Sequence, residues 1–397
     1  MDQELCVPSA KPQRTGCTML DVAIIGGGLS GLFLAYQLQQ AGCRFRLFES
    51  RSRFGGRVLS LPASRIEIGA ATLPDPSFRY DLGAGWIWPD SQPRIAALVE
   101  QFGLTLFPQW LEGDSLYQTG RETPPRRYFD HATYASARRV AGGSERLTDE
   151  LLRRLPPHNL QLNYHLLGLR DRGDRVELSL NTGGSEVQVT AHQVVLCLPP
   201  RVVGANLSFT PALDPRLMAL MQNTPTWMAG HAKALIRYSE PFWREGGLSG
   251  SVLAGYAGAV LGEVFDAGSE DGTQAALSGF FAIPAPMRRQ YRNDLYALVL
   301  DQLIDLFGPQ AASPEEVMVK EWSDEPLTAT AADDLPPMEH PRYGHPWFEL
   351  DHWNDKLHFC GTETAAEFGG YMEGALEAAE RVAAVLQLGR QPMTKLV

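Results

Sequence analysis

Three glycines spaced as Gly26-x-Gly28-x-x-Gly31 precede an acidic residue, Glu49. Between a strand and a helix, that spacing serves a dinucleotide. Gly26 permits the sharp turn, Gly28 lets a pyrophosphate approach the backbone, and Gly31 lets the helix pack on the strand. Leu29 and Ser30 open that helix, whose free N–H groups and positive dipole end face the anion, while Glu49 and the adjoining Ser50 belong at the ribose. The next run, Glu49-Ser50-Arg51-Ser52-Arg53-Phe54-Gly55-Gly56-Arg57, brings a second glycine pair and three guanidinium groups to the same place. A dinucleotide whose reactive ring lies far from its adenine needs a second backbone approach, and arginine offers phosphate a planar fork.

Other chemistry-bearing residues read as bland. His340, His345, His352 and His358 lack metal-ligand spacing on one element. Cys197 and Cys360 end apolar strands as inert thiols. Lys233 and Arg237, ahead of Glu240-Pro241-Phe242-Trp243, read as solvated strand positions, with a place facing a substrate as the alternative.

The elements that must position the glycines follow from patterning. Residues 20–25 (LDVAII) are a short apolar run with β-branched residues, a buried parallel strand. Leu29, Leu32, Phe33, Tyr36 and Leu38 then recur at helical spacing up to Ala41-Gly42, and 45–49 resumes strand character. Segments 159–168 and 174–190 alternate around Gly183-Gly184 and feed a buried strand ending at Pro199-Pro200. Helices are expected over 212–222 and 290–307. The loops 60–76, 107–128, 264–274 and 324–346 are rich in proline and glycine.

With 397 residues, 44% hydrophobic and 20% charged, the chain suits two interlocked domains. Its 35 basic and 46 acidic residues leave a net charge of −11, which disfavours a nucleic-acid partner. Five widely spaced cysteines argue against a disulfide framework. No signal-peptide core opens the sequence and no stretch suffices for a membrane span, so a cytoplasmic location is expected.

The glycine–arginine run, together with Asp81-Leu82-Gly83-Ala84-Gly85-Trp86-Ile87, Phe359-Cys360-Gly361-Thr362-Glu363-Thr364 and Gly369-Gly370-Tyr371-Met372-Glu373-Gly374-Ala375, resembles the flavin-containing amine oxidase family of the monoamine oxidase type, in a short bacterial-like form. The resemblance implies non-covalent FAD, since 328–332 holds no cysteine where covalently flavinylated members carry one. It places Gly83, Ala84, Gly85 and Trp86 against the flavin, Gly361 and Glu363 near the ribityl-diphosphate, and Gly370, Tyr371 and Met372 at the ring. Leu166 matches a main-chain adenine contact, Gly142-Gly143 a preceding glycine pair, and Trp322 a tryptophan packed near the flavin. Tyr371 and Trp322 are thus the expected substrate-pocket residues.

Two departures stand out. Ala332 falls where the second ring of an aromatic substrate frame is expected, and 279–286 offers no lysine of the kind that meets flavin N5 through water in relatives. The implied fold is α/β: a Rossmann-type FAD domain from 18–85, 141–205 and 345–388, and a substrate domain of mixed sheet and helices from 86–140 and 206–344, with tails at 1–17 and 389–397. The implied function is an FAD-dependent oxidase of an amine or amino acid. It passes a hydride from the C–H beside nitrogen to flavin N5, and oxygen then gives peroxide. Alternatives are a C–C desaturase resembling protoporphyrinogen oxidase, or a flavin-holding protein with little turnover.

Overall fold

The computed structural model describes residues 19–63, 78–129, 134–335, 337 and 339–388. Most of the loop expected over 60–76, and both expected tails, lie outside the described residues apart from 60–63.

The first unit forms as its pattern dictates: β1 (Leu20–Ile25), α1 (Leu29–Gln40) and β2 (Phe45–Phe48). β1 is central in an eight-stranded sheet, parallel to β2 on one side and to Glu186–Leu196 on the other, with Ile25 in register with Phe48 and Leu196. Val22 to Ile24 are fully buried, consistent with a strand covered on both faces. The hairpins His165–Asp171, Val176–Asn181 and Glu186–Leu196 extend the sheet antiparallel, and Leu357–Phe359 returns parallel to Glu186–Leu196. On one face α1 packs against the closing helix Met372–Leu388, through small residues such as Ala375, Ala378 and Ala379. The expected helices are Pro215–Asn223 and Leu295–Phe307.

A second sheet has seven strands in the order Glu316–Glu321, Ala232–Tyr238, Ala275–Phe281, Leu261–Asp266, Leu248–Ala254, Asp114–Gln118, Arg126–Tyr128. It is mixed, because Leu248–Ala254 runs parallel to Asp114–Gln118 while its other pairs are antiparallel. Alternation along Ala232–Tyr238 sends Ala234 and Ile236 toward the helix Leu295–Phe307, where they share a core with Val299 and Leu303. Lys233 and Leu235 point the other way, toward Tyr80, Leu82 and Trp86. Both faces are therefore covered.

Candidate active site

At the first turn, α1 begins after Gly28 in extended backbone with no side-chain cap, leaving its first N–H groups for an anion. Gly26 adopts φ +104°, and a Cβ there would stand 2.5 Å from the Cys197 carbonyl oxygen. A Cβ on Gly31 would stand 2.0 Å from the Gly26 carbonyl oxygen, so this glycine is fixed by the helix–strand approach. Gly28 faces the second glycine pair: it bridges Gly55, and a Cβ on Gly56 would be 3.2 Å from the Gly28 Cα. Glu49 accepts from the Gly27 N–H at 2.7 Å and the Arg51 N–H at 2.8 Å, clamping the glycine loop to the arginine run.

These residues form one end of a cavity of about 580 Å³. Gly26, Gly28, Leu29 and Ser30 line it with Glu49 and Arg51, and Gly55, Gly56 and Arg57 continue the wall. Gly83, Ala84, Gly85 and Trp86 follow, and Gly361, Gly370, Tyr371 and Met372 close the opposite side. Trp322 joins them with its indole N–H donating to the Leu82 carbonyl at 3.0 Å.

Four of the expected contacts stand off the wall. Gly31 is behind the turn it permits. Ser50 Oγ lies 3.2 Å from His165 Nδ1, and Leu166 is in the core with Phe48. Glu363 is fully buried and gives both carboxylate oxygens to the Arg57 guanidinium, at 2.5 and 3.0 Å, so it meets the cavity through Arg57. Gly143 adopts φ +85° over Ser60 and serves packing.

The wall carries ionisable groups that sequence reasoning misplaced or passed over, Lys233 and Glu263 among them. Lys233 is 3% exposed, contrary to its expected solvated position. Its ammonium donates to the carbonyls of Asp81 at 2.8 Å and Gly83 at 3.2 Å, within 6 Å of the ring centroids of Trp86, Phe265 and Phe280. Burial pulls its pKa down to about 8, with Asp81 opposing and Arg139 adding to the fall. The stretch 279–286 has no lysine, as read from the sequence, but the cavity does: it comes from Ala232–Tyr238 and pairs in register with Phe280 of that very stretch.

Glu263 faces the same cavity, and burial pushes its carboxyl up to about 7. Its carboxylate accepts from the Tyr134 hydroxyl, whose ring stacks on Trp86 at 4.8 Å. Nothing in its sequence context marks it, although the lysine had a signal: one charge in an otherwise apolar run, Ala232-Lys-Ala-Leu-Ile236.

Ala332 lies on the short turn Ala331–Asp333, exposed and away from the cavity. Arg237 pairs with Glu315 and Glu316. Cys197 and Cys360 are buried, and burial raises the Cys197 thiol well above its ordinary value. Among the described residues no cluster of histidine, cysteine or acidic side chains could hold a metal, and no helix is long and apolar enough to cross a membrane.

The donor set fits a flavin dinucleotide. A glycine cradle that a Cβ at Gly26, Gly55 or Gly56 would crowd meets an uncapped helix start, and Arg51 Nε is buried beside it without a partner. The aromatic pocket beyond is continuous with that cradle.

Comparison with known proteins agrees. The family model described as flavin containing amine oxidoreductase matches residues 121–387, and that of an NAD(P)-binding Rossmann-like domain matches 24–102. An amine oxidase [flavin-containing] of Oncorhynchus mykiss is 27% identical over 96% of this chain and 89% of its own length. The probable flavin-containing monoamine oxidase A of Dictyostelium discoideum is 23% identical over 92% and 97%. Among solved structures, putrescine oxidase bound to putrescine superposes with a TM-score of 0.73 at 20% identity, covering 94% of this chain and all of its own. Cyclohexylamine oxidase from Brevibacterium oxydans IH-35A gives 0.73 at 18%, covering 94% and 99%. These superpositions show the shared α/β fold.

Proposed function

The chain belongs to the flavin-containing amine oxidoreductase family, and from that premise we propose that it is an oxidase of a cationic amine that binds FAD non-covalently. The observation that carries this reading is one cavity running from the Gly26–Gly31 loop to the Glu263 carboxyl. When bound there, FAD supplies acceptance of a hydride from the C–H beside the amine nitrogen, with reoxidation by oxygen giving peroxide.

The protein's own residues orient and select. The glycine loop, the start of α1 and Arg57, backed by Glu363, hold the dinucleotide, and the first turn of Met372–Leu388 presents its dipole to the ring's developing negative charge. Lys233 takes the place of the family's lysine, holding a proton or a water on the ring side of the pocket. Its lowered pKa lets Nζ exchange a proton near neutrality. Glu263 receives positive charge: burial without a cationic partner raises its pKa, and an incoming ammonium reverses that penalty. A substrate with a second ammonium, as in the putrescine bound by the similar structure, would use it best.

The C–C desaturase reading rests on shared motifs and is favoured by a missing lysine and a half-built aromatic frame, and the low-turnover reading by the lost frame residues. The buried Lys233 removes the missing lysine from those grounds. Anaerobic mixing of the purified protein with amines, diamines, amino acids and polyenes tests the proposal. Bleaching of the flavin by amines, strongest for diamines, is expected. Bleaching by polyenes alone would overturn the proposal.

A further inference from the structure

Tyr371 and Trp227 both line the cavity. One imidazole, His340, bridges them: it stacks on Tyr371 at 5.2 Å between centroids and 19° between planes, and meets Trp227 at 4.5 Å and 55°. His340 is exposed and is not part of the cavity lining, although both rings it bridges are. Its segment is tied on one side by Asp334, paired with Arg289 at 2.5 Å, and on the other by Tyr343, whose hydroxyl donates to the Pro225 carbonyl at 2.9 Å. Between those ties, and among the described residues, the imidazole makes ring contacts but no hydrogen bond or ion pair; the third ring it meets is Tyr343, edge-on at 5.5 Å.

We propose that His340 is a displaceable stopper on the aromatic frame: it withdraws from Tyr371 and Trp227 to admit an amine, whose ammonium or aryl group then takes over those rings. Stacking contacts alone are weak and are matched by any arene or cation that offers the same surface. Trp227 thereby supplies the ring that Ala332 does not. The backbone holds it in place, because its N–H donates to Glu363 at 3.3 Å, its carbonyl accepts from Arg57 at 3.3 Å, and it packs on Gly370, where a Cβ would stand 2.9 Å from the Trp227 Cβ. The ligand class is an amine that can lay an ammonium or aryl group on these rings, diamines included. Only this choice of ligand rests on the amine-oxidase reading; the stopper itself rests on the ring geometry.

The test uses the flavin-loaded protein and benzyltrimethylammonium, which has no nitrogen lone pair and binds without being oxidised. Tryptophan fluorescence and flavin absorbance both report binding. His340→Ala is expected to tighten the probe about 3- to 10-fold by removing a competing ring, and His340→Trp to weaken it. Unchanged or weaker binding in His340→Ala would overturn the stopper, since the imidazole would then be idle or part of the binding wall. If the probe responds as expected while no amine bleaches the flavin, the stopper stands and the proposed activity fails.

Discussion

Lys233 and Glu263 are both register partners of Phe280, one on each side of the strand Ala275–Phe281. Cross-strand partners present side chains to one face of a sheet, so a base and an acid face the cavity about 10 Å apart in backbone position. That spacing suits a substrate with chemistry at one end and a charge at the other.

Glu263→Gln keeps the shape and removes the charge. For diamines, KM should rise about 10- to 100-fold, the worth of a charge-assisted contact. Monoamines should change little. Steady-state kinetics on matched pairs of equal chain length checks this, and an equal loss for both would contradict it.

The same two groups set a pH dependence of stability. Glu263 titrates near 7 in the folded chain against an ordinary 4.5, so its contribution is full below 4.5 and is lost as pH rises to about 7. Lys233 titrates near 8 against 10.5, so its contribution is full above 10.5 and is lost as pH falls to about 8. Between those limits both are ionised at a cost. Glu263→Gln should therefore gain about 1–2 kcal/mol over the parent between about pH 5 and about pH 8. Thermal melts across that range measure it, and a gap that does not widen would refute it.

Lys233→Met should leave flavin content unchanged and slow flavin reduction or reoxidation about 100-fold, the scale of a lost proton-handling group. Rapid mixing separates the two half-reactions. A parent-like rate in both would remove Lys233 from the chemistry.

Gly31→Ala sets a methyl against the Gly26 carbonyl, backbone on backbone. Destabilisation of about 3 kcal/mol or more is expected, with loss of colour. An added methyl at the exposed Gly42 would meet nothing within 4 Å, so only φ +67° opposes it, at about 1–2 kcal/mol. Melting temperatures of the two variants rank them, and equal values would defeat the argument.

Acid or heat denaturation should release the flavin into the supernatant. Colour retained in the precipitate would mean a covalent bond. Among the described residues the free cysteines Cys43, Cys197 and Cys360 are all buried.

The glycine-loop end of the cavity was legible because its parts are contiguous in sequence. Turn glycines, helix start and Glu49 lie within one βαβ unit, and each has a backbone reason that needs no partner from afar. Lys233 was marked by its lone charge in an apolar run, but that it and Glu263 face one cavity was illegible for the opposite reason. Ala232–Tyr238 is covered on both faces, so alternation gives no sign of which side is cavity and which is core. Register with Phe280 emerges only when strands meet. The contacts of His340 with the cavity rings were invisible likewise: Trp227 and Tyr371 lie in two other segments.

The bond between Arg57 and Glu363 joins residues 306 positions apart. Newly synthesised protein can therefore assemble its cofactor cradle only after nearly the whole polypeptide has left the ribosome. Prematurely terminated chains that stop before Glu363 should emerge colourless, however well their opening βαβ unit folds.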